Sequence, residues 1–195
     1  MWLSDVIRLR INNYIIIDDF FPDGLADQLR LLALNFNKDD VYYDYASVNF
    51  EDGRKSLGNI CEQYVVPKVS LAKMSSYIRS WAFVYDNVSR GVLPHADDSF
   101  INVNVWITPD ECVADHNKNG LKIYKKECPK EINWEVYNTD NYWIKEFLKD
   151  STYDTIPYKY NRAVVFRGNT FHSTDNVYMK PGDENKRINY TFMFK

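Results

Sequence analysis

Apolar and polar positions recur with two different periods along this chain, and the change falls before its midpoint. In PDGLADQLRLLALNF, Leu25, Leu29, Leu32 and Phe36 return every three or four residues, which predicts an amphipathic helix with one buried face. Pro22 and Asp23 suit its first turn, where a missing N–H is harmless and a carboxylate meets the positive end of the helix dipole. Just before it, NYIIIDDFF reads as a strand ended by an aspartate turn. A second helical region is expected over residues 56–79, with Pro67 dividing it into two short helices because proline lacks the donor a helix interior needs. From Trp81 the period becomes two. WAFVYD, INVNVWIT, GLKIY, AVVFR and INYTFMF are short β-rich runs bounded by Gly, Asn, Asp and Pro. DNYWIKEFLK, residues 140–149, reads as a short helix inserted among them.

Alternation gives each strand two faces. In INVNVWIT, Ile101, Val103, Val105 and Ile107 share one side, and Asn102, Asn104, Trp106 and Thr108 the other. The second side is polar and aromatic, as the wall of a ligand-lined barrel would be. In the last run, Ile188, Tyr190 and Phe192 share a face, and Arg187, Asn189 and Thr191 share the opposite one. The expected fold is mostly β with flanking helices, an antiparallel jelly roll of the cupin-like, double-stranded β-helix kind. With no repeat and no Gly/Ser/Pro-rich linker, residues 1–195 read as one domain: a helical support region over 1–80 and a jelly-roll core over 81–195.

Composition narrows the partners. Apolar residues make up 45% and aromatics 16% of the 195 positions, enough for a packed core. A net charge of −3 gives no overall attraction to nucleic acid or to an anionic membrane. The densest basic stretch, KIYKKECPK at Lys122–Lys130, reads as a solvated loop. Cys61, Cys112 and Cys128 are odd in number and form no CxxC, which fits a reducing compartment rather than a disulfide framework. MWLSDVIRLRINNYIIIDDFF holds too short an apolar run for a signal peptide or a membrane span, so a cytoplasmic protein is expected.

The candidate chemistry begins in RGVLPHADDSF. His95 and Asp97 are two apart, so on an extended backbone an imidazole and a carboxylate point the same way. An HxD alone is equally a histidine and an aspartate sharing a loop. His172, beyond the apolar run AVVF and a Gly-Asn turn, offers a third ligand. Two histidines and one carboxylate with open positions form the facial triad associated with non-haem Fe(II). Asp98 should point away from such a centre. Arg187 opens an alternating strand; a guanidinium facing a barrel interior needs an anion, and its other reading is a structural or surface salt bridge. His116, in ADHNKNG, reads as an exposed loop residue, the alternative being a substrate-loop residue near the pocket mouth.

HAD at His95–Asp97, His172 beyond a strand and Arg187 on the last strand resemble the Fe(II)- and 2-oxoglutarate-dependent dioxygenases, prolyl-hydroxylase-like branch. YDNVSRGVLPHAD is similar to the lead-in of that branch, NRAVVFRGNTFHS to its segment around the distal histidine, and NYIIIDDFFPDGLADQLRLLAL to its opening strand and helix. The resemblance runs from about Asn13 to Phe194. It implies that His95, Asp97 and His172 bind Fe(II), and that Arg187 holds the distal carboxylate of 2-oxoglutarate with Thr191 assisting. Tyr85 matches the family's tyrosine ahead of the HxD and either hydrogen-bonds the cosubstrate or is simply a core tyrosine; Asn104, on the same face as Asn102, either lines the cosubstrate pocket or is a satisfied structural amide. The family departs at Asn189, where many members carry Ser or Thr, and Lys186 beside Arg187 is a possible substitute anchor. The implied reaction consumes O2 and 2-oxoglutarate, releases succinate and CO2, and hydroxylates a peptidyl side chain, an amino acid or a small metabolite. Two other readings stay open: a cupin-type metal-dependent hydrolase or isomerase, and a non-catalytic jelly-roll binding module. The acidic balance makes a nucleic-acid substrate unexpected, and oligomeric state is not legible.

Overall fold

The computed structural model describes residues 2–50 and 56–195. Its elements in chain order are α1 (Trp2–Asn12), β1 (Tyr14–Ile17), α2 (Leu25–Asn35), β2 (Asp40–Val41), β3 (Tyr45–Asn49) and α3 (Ser56–Ile60). There follow β4 (Tyr77–Tyr85), β5 (Val88–Ser89), β6 (Ile101–Trp106), β7 (Leu121–Glu127), α4 (Trp134–Thr139) and α5 (Asn141–Leu148). The chain closes with β8 (Tyr153–Ile156), β9 (Ala163–Arg167), β10 (Thr170–Thr174), β11 (Val177–Tyr178) and β12 (Ile188–Phe194).

Seven strands form a major sheet in the order β1-β9-β6-β12-β4-β3-β2, and every pairing in it is antiparallel. Facing it are β10-β7-β8 and the short pair β11-β5. This is the two-sheet jelly roll, a double-stranded β-helix, that the strand pattern predicts. The alternation of INVNVWIT and INYTFMF decides how the layers stack. Val103, Val105, Ile188, Tyr190 and Phe192 turn outward onto the helices, where Ala26, Leu29 and Ala33 of α2 and Leu57, Cys61 and Val65 complete the main core. Full burial of side chains such as Leu29 or Phe192 contributes about 1.5–3 kcal/mol each. The buried Tyr190 hydroxyl donates to Leu29 O at 2.8 Å, pinning the sheet to α2. The opposite face of the major sheet looks into the barrel and carries the polar residues.

Four expectations change in detail. Helix α2 begins at Leu25, after Pro22 and Asp23, because Gly24 adopts a left-handed φ of 80°. Residues 56–79 do not form two helices. Helix α3 widens into a π-helical turn over Cys61–Val65, a 3-10 turn covers Ala72–Met74, and Tyr77–Arg79 already belong to β4. Strand pairing wins there because Arg79 and Ser80 find ladder partners in Met193 and Phe192. The expected helical half also contributes β2 and β3 to the major sheet. Finally, most of KIYKKECPK is strand rather than loop: the GLKIY run continues to Glu127 as β7 (Leu121–Glu127), paired with both β10 and β8, and only residues 128–130 lie beyond it. Its lysines are paired, Lys122 with the buried Asp175 at 2.9 Å and Lys125 with Asp154. The inserted helix is present as α5, capped by Asp140, whose carboxylate accepts from the Tyr142 and Trp143 N–H groups.

Among the described residues, no helix is long and apolar enough to cross a membrane.

Candidate metal centre

His95 and Asp97 lie in the segment between β5 and β6, and His172 is the third residue of β10. Two reciprocal backbone bonds join the histidines: His95 N–H to His172 O at 3.0 Å and His172 N–H to His95 O at 2.9 Å. That isolated antiparallel bridge sets both imidazoles on one face, with ring centroids 4.3 Å apart. Asp97 N–H donates to Gly168 O at 2.8 Å, which ties the HAD segment to the β9–β10 turn as well. The three side chains therefore converge by backbone pairing, not by chance proximity of long side chains.

One ligand atom from each of His95, Asp97 and His172 lies within 4.8 Å of the others. Nε2 of His95 stands 3.8 Å from Asp97 Oδ1, and Nε2 of His172 stands 3.5 Å from Oδ2. Both spacings are too long for good hydrogen bonds and suit three donors around a common point. The opposite ring nitrogens set the tautomers. Nδ1 of His95 lies 2.8 Å from Leu93 O, and Nδ1 of His172 lies 3.1 Å from Thr170 O. A carbonyl can only accept, so each neutral ring carries its proton on Nδ1 and turns its Nε2 lone pair inward. Burial, with His95 nearby, lowers the His172 pKa to about 4, so this ring is a neutral ligand at ordinary pH.

The carboxylate is held from two sides. Asn102 Nδ2 donates to Asp97 Oδ2 at 2.6 Å, and Asn138 Nδ2 of α4 reaches Oδ1 at 3.4 Å. Ser99 Oγ donates to Asn102 Oδ1 at 2.8 Å, and this leaves the amide only one useful orientation, NH2 toward Asp97. Asp98 points elsewhere, to Lys195 Nζ at 2.7 Å.

The centre opens on one side, since the His95 side chain is 18% exposed and those of His172 and Asp97 are 8% exposed. There a cleft of about 880 Å³ begins, bounded by His95, Asp97, the β2–β3 hairpin, β4, and residues 138–141.

Arg187 lies deeper. It is 1% exposed, directly ahead of β12, with Nε donating to Asn119 O and Nη1 to Asn189 Oδ1, both at 2.9 Å. The rings of Tyr85, Trp106 and Tyr158 surround its Cζ at 4.7, 5.7 and 5.7 Å. No carboxylate lies within ion-pair distance of it among the described residues, which removes the structural salt bridge as its explanation. Lys186 turns outward to Asp86 and Asp183 and is not a substitute. Around Arg187 several buried polar atoms lack hydrogen-bond partners, namely Asn189 Nδ2 and Trp106 Nε1, with Asn104 Oδ1 further along the same face. The first two are donors and suit an anion. Tyr85 Oη meets Thr174 Oγ1 at 3.1 Å, and Thr174 stands two residues beyond His172 on β10, a rise of about 7 Å. Asn104 donates to Thr191 Oγ1 at 3.3 Å, so Thr191 shares the face while Asn189 is the residue that touches Arg187. His116 is exposed in its loop.

Sequence reasoning missed Asn138, Asn119, Thr174 and Tyr158. For Asn119 a signal existed: the Asn-Gly pair 119–120 marks a turn, and Asn119 has φ of 70° with its side chain bonded to Asp115 O and Tyr178 N. Asn138 carries no such signal, because its role arises only where α4 folds over the HAD segment.

No family model and no curated protein sequence matches the chain. Solved structures do. A 2-oxoglutarate/Fe(II) oxygenase-family oxidoreductase from Burkholderia pseudomallei shares 9% identity at a TM-score of 0.68, covering 100% of this chain and 91% of that one. HygX from Streptomyces hygroscopicus, with nickel and 2-oxoglutarate bound, shares 7% identity at 0.66, over 98% and 85% of the two chains. SnoN, an α-ketoglutarate-dependent epimerase from nogalamycin biosynthesis, shares 14% at 0.61, over 99% and 81%. At these identities the likeness establishes the fold.

Proposed function

We propose that this chain is an Fe(II)- and 2-oxoglutarate-dependent dioxygenase that hydroxylates a C–H bond of a small metabolite, an amino acid or a peptidyl side chain. One observation carries the reading: a His95–Asp97–His172 cluster shares its barrel with a buried guanidinium that has no acid partner among the described residues. Two imidazoles and one carboxylate form a donor set that suits Fe(II), and Ni(II) or Mn(II) can replace it. When bound, the iron and its cosubstrate supply the oxidising chemistry, coupling reduction of O2 and decarboxylation of 2-oxoglutarate to succinate with C–H hydroxylation.

The chain's own residues bind, orient and exclude water. His95, His172 and Asp97 hold the metal, and Asn102 and Asn138 keep the carboxylate aimed at it. Arg187 receives the distal carboxylate of 2-oxoglutarate, where a planar fork outperforms a point charge. Asn189 Nδ2 lies alongside as a second donor. Tyr85 supports the guanidinium from below its plane, and burial pushes the Tyr85 phenol pKa up, so it stays a neutral donor. Asn104 and Thr191 line the same wall. A cupin-type hydrolase or a silent binding module gives Arg187 no task. The sequence lead-in YDNVSRGVLPHAD supports a place near the prolyl-hydroxylase-like branch, a statement about scaffold ancestry rather than substrate. Free, buried Cys61, Cys112 and Cys128 support a reducing, cytoplasmic setting.

The direct test is anaerobic addition of Fe(II) and 2-oxoglutarate, which should produce a weak visible charge-transfer band and, in air, succinate. His172→Ala should abolish metal binding. Full iron occupancy in that variant, or no band and no succinate from the wild type, refutes the assignment.

A further inference from the structure

The cleft beside the metal centre has an unusual wall. Strand β4 points Trp81, Phe83 and Tyr85 inward at alternate positions, and β3 adds Tyr45 opposite Tyr85. The rings touch in series: Trp81–Phe83 at 6.3 Å, Phe83–Tyr45 at 5.3 Å and Tyr45–Tyr42 stacked at 4.5 Å with planes 16° apart. A continuous run of ring contacts therefore links buried Tyr85, beneath Arg187, to the rim, and Trp81, Phe83, Tyr45 and Tyr42 are its part that lines the cleft. At its outer end Tyr43 is 97% exposed. Trp81 and Phe83 are only half-buried although they sit mid-strand and face the barrel interior, since the cleft leaves them open.

Charge selects little here. Among the described residues, and beyond the metal cluster, the lining carries two carboxylates, Asp40 and Asp44, and two guanidiniums, Arg79 and Arg90. Both carboxylates are engaged, Asp40 with the Ser47 hydroxyl and Asp44 with the Arg90 backbone N–H. Arg79 lies over the Trp81 ring, 5.2 Å from its centroid. An aromatic, charge-balanced cleft of about 880 Å³ has the size and character of a small-molecule site.

We propose that the substrate is an uncharged small molecule built on a flat ring system, which stacks on the Trp81–Phe83–Tyr45 wall and presents its edge to His95 and Asp97. The proposal rests on the dioxygenase reading only for which edge reacts; the stacking itself does not require turnover. Aromatic contacts of this kind are individually modest, so truncating one ring should weaken binding roughly three- to tenfold.

The test is calorimetric titration of the Mn(II)- and 2-oxoglutarate-loaded protein with three neutral ring probes: 7-methoxycoumarin, 4-methylumbelliferyl glucoside and phenyl glucoside. Methyl glucoside, free proline and a prolyl decapeptide serve as counterparts that lack a flat aromatic ring, the last of them peptidyl. At least one flat-ring probe should bind in preference to the counterparts, and Trp81→Ala should weaken it. Tyr43→Ser, at a 97% exposed position that cannot disturb the core, should weaken it less. No binding by any ring probe, binding that Trp81→Ala leaves unchanged, or preference for the peptide overturns the proposal. Succinate release measured in parallel separates this failure from failure of the metal-centre reading, because either can be lost while the other persists.

Discussion

Asn102→Ala isolates the part of the metal centre that geometry supports best. The substitution removes the 2.6 Å donor to Asp97 Oδ2 and leaves a buried carboxylate oxygen facing a methyl group. A hydrogen bond to a charged group contributes about 1.5–3 kcal/mol. If all of that were lost on metal binding, affinity would fall about 10- to 100-fold, at about 1.4 kcal/mol per decade. The bond exists before metal arrives, however, so the variant forfeits mainly preorganisation of the carboxylate, and the lower end, about tenfold, is expected. Asn138→Ala removes only a long 3.4 Å contact to the carboxylate, together with a 2.9 Å bond to Ala96 O that ties α4 to the HAD segment, and from this less buried amide the loss of Mn(II) affinity should be only a few-fold. The assay is calorimetric or EPR titration with Mn(II), alongside urea unfolding of the metal-free protein to register any loss of fold. A folded Asn102→Ala protein that binds Mn(II) like the wild type, or an Asn138→Ala protein hit harder than Asn102→Ala, refutes the claim that Asn102 aims the ligand.

Three further outcomes follow from neighbouring geometry. A Cβ at Gly168 would fall 2.2 Å from Ser99 O, so Gly168→Ala must push the HAD segment off the β9–β10 turn; lowered urea stability together with weakened Mn(II) binding is expected, and unchanged values for both would contradict it. Arg187→Lys keeps the charge but loses the fork and the Asn119 and Asn189 contacts, so 2-oxoglutarate binding should weaken at least tenfold while Mn(II) binding stays near wild type; equal loss of both would remove Arg187 from the cosubstrate site. Asp18, hydrogen-bonded by Arg162 first and Lys159 second, has its pKa lowered to about 2. A depressed folded-state pKa means the pair stabilises above the unfolded carboxylate range and fades as pH falls from about 4 toward 2. The gap in urea midpoint between wild type and Asp18→Asn should therefore be constant above pH 5 and shrink below pH 4; a pH-independent gap would show that ionisation is not its source.

What the sequence disclosed follows the period of its side chains. Two-residue alternation announced the inward face of β6, Asn102, Asn104 and Trp106, and of the β12 strand, Asn189 and Thr191, because sheet faces are set by parity alone. The HxD pair and the distal histidine were legible for the same reason, a strand end and a turn being local signals. Residues 77–79 and 125–127 were misread because their pairing partners, Met193 and Thr170 among others, lie far along the chain, and no local window contains them. Asn138 and Tyr158 were invisible on the same ground. Each acquires its role only through tertiary approach, α4 onto the HAD segment and the residue-158 loop onto Trp106.

The two halves of the site are supported by different physics, and this separates their failure modes. At the metal end the backbone does the positioning: the His95–His172 bridge, the Asp97–Gly168 bond and two carbonyls that orient the rings are all main-chain features. Side-chain substitutions nearby should tune affinity without dispersing the ligands. At the anion end the positioning is by side chains: three aromatic rings, one amide and a single carbonyl hold Arg187, with no counter-charge among the described residues. A buried cation held so is costly until an anion arrives. On the proposed assignment, the free energy of that unpaired guanidinium is available to cosubstrate binding. It follows that 2-oxoglutarate should raise the thermal stability of the wild type, and that an Arg187→Met protein, with no buried charge to satisfy, should lose the ligand response while keeping or exceeding the ligand-free stability. A ligand-free Arg187→Met protein that unfolds far more easily than the wild type would show that the guanidinium is a structural support instead.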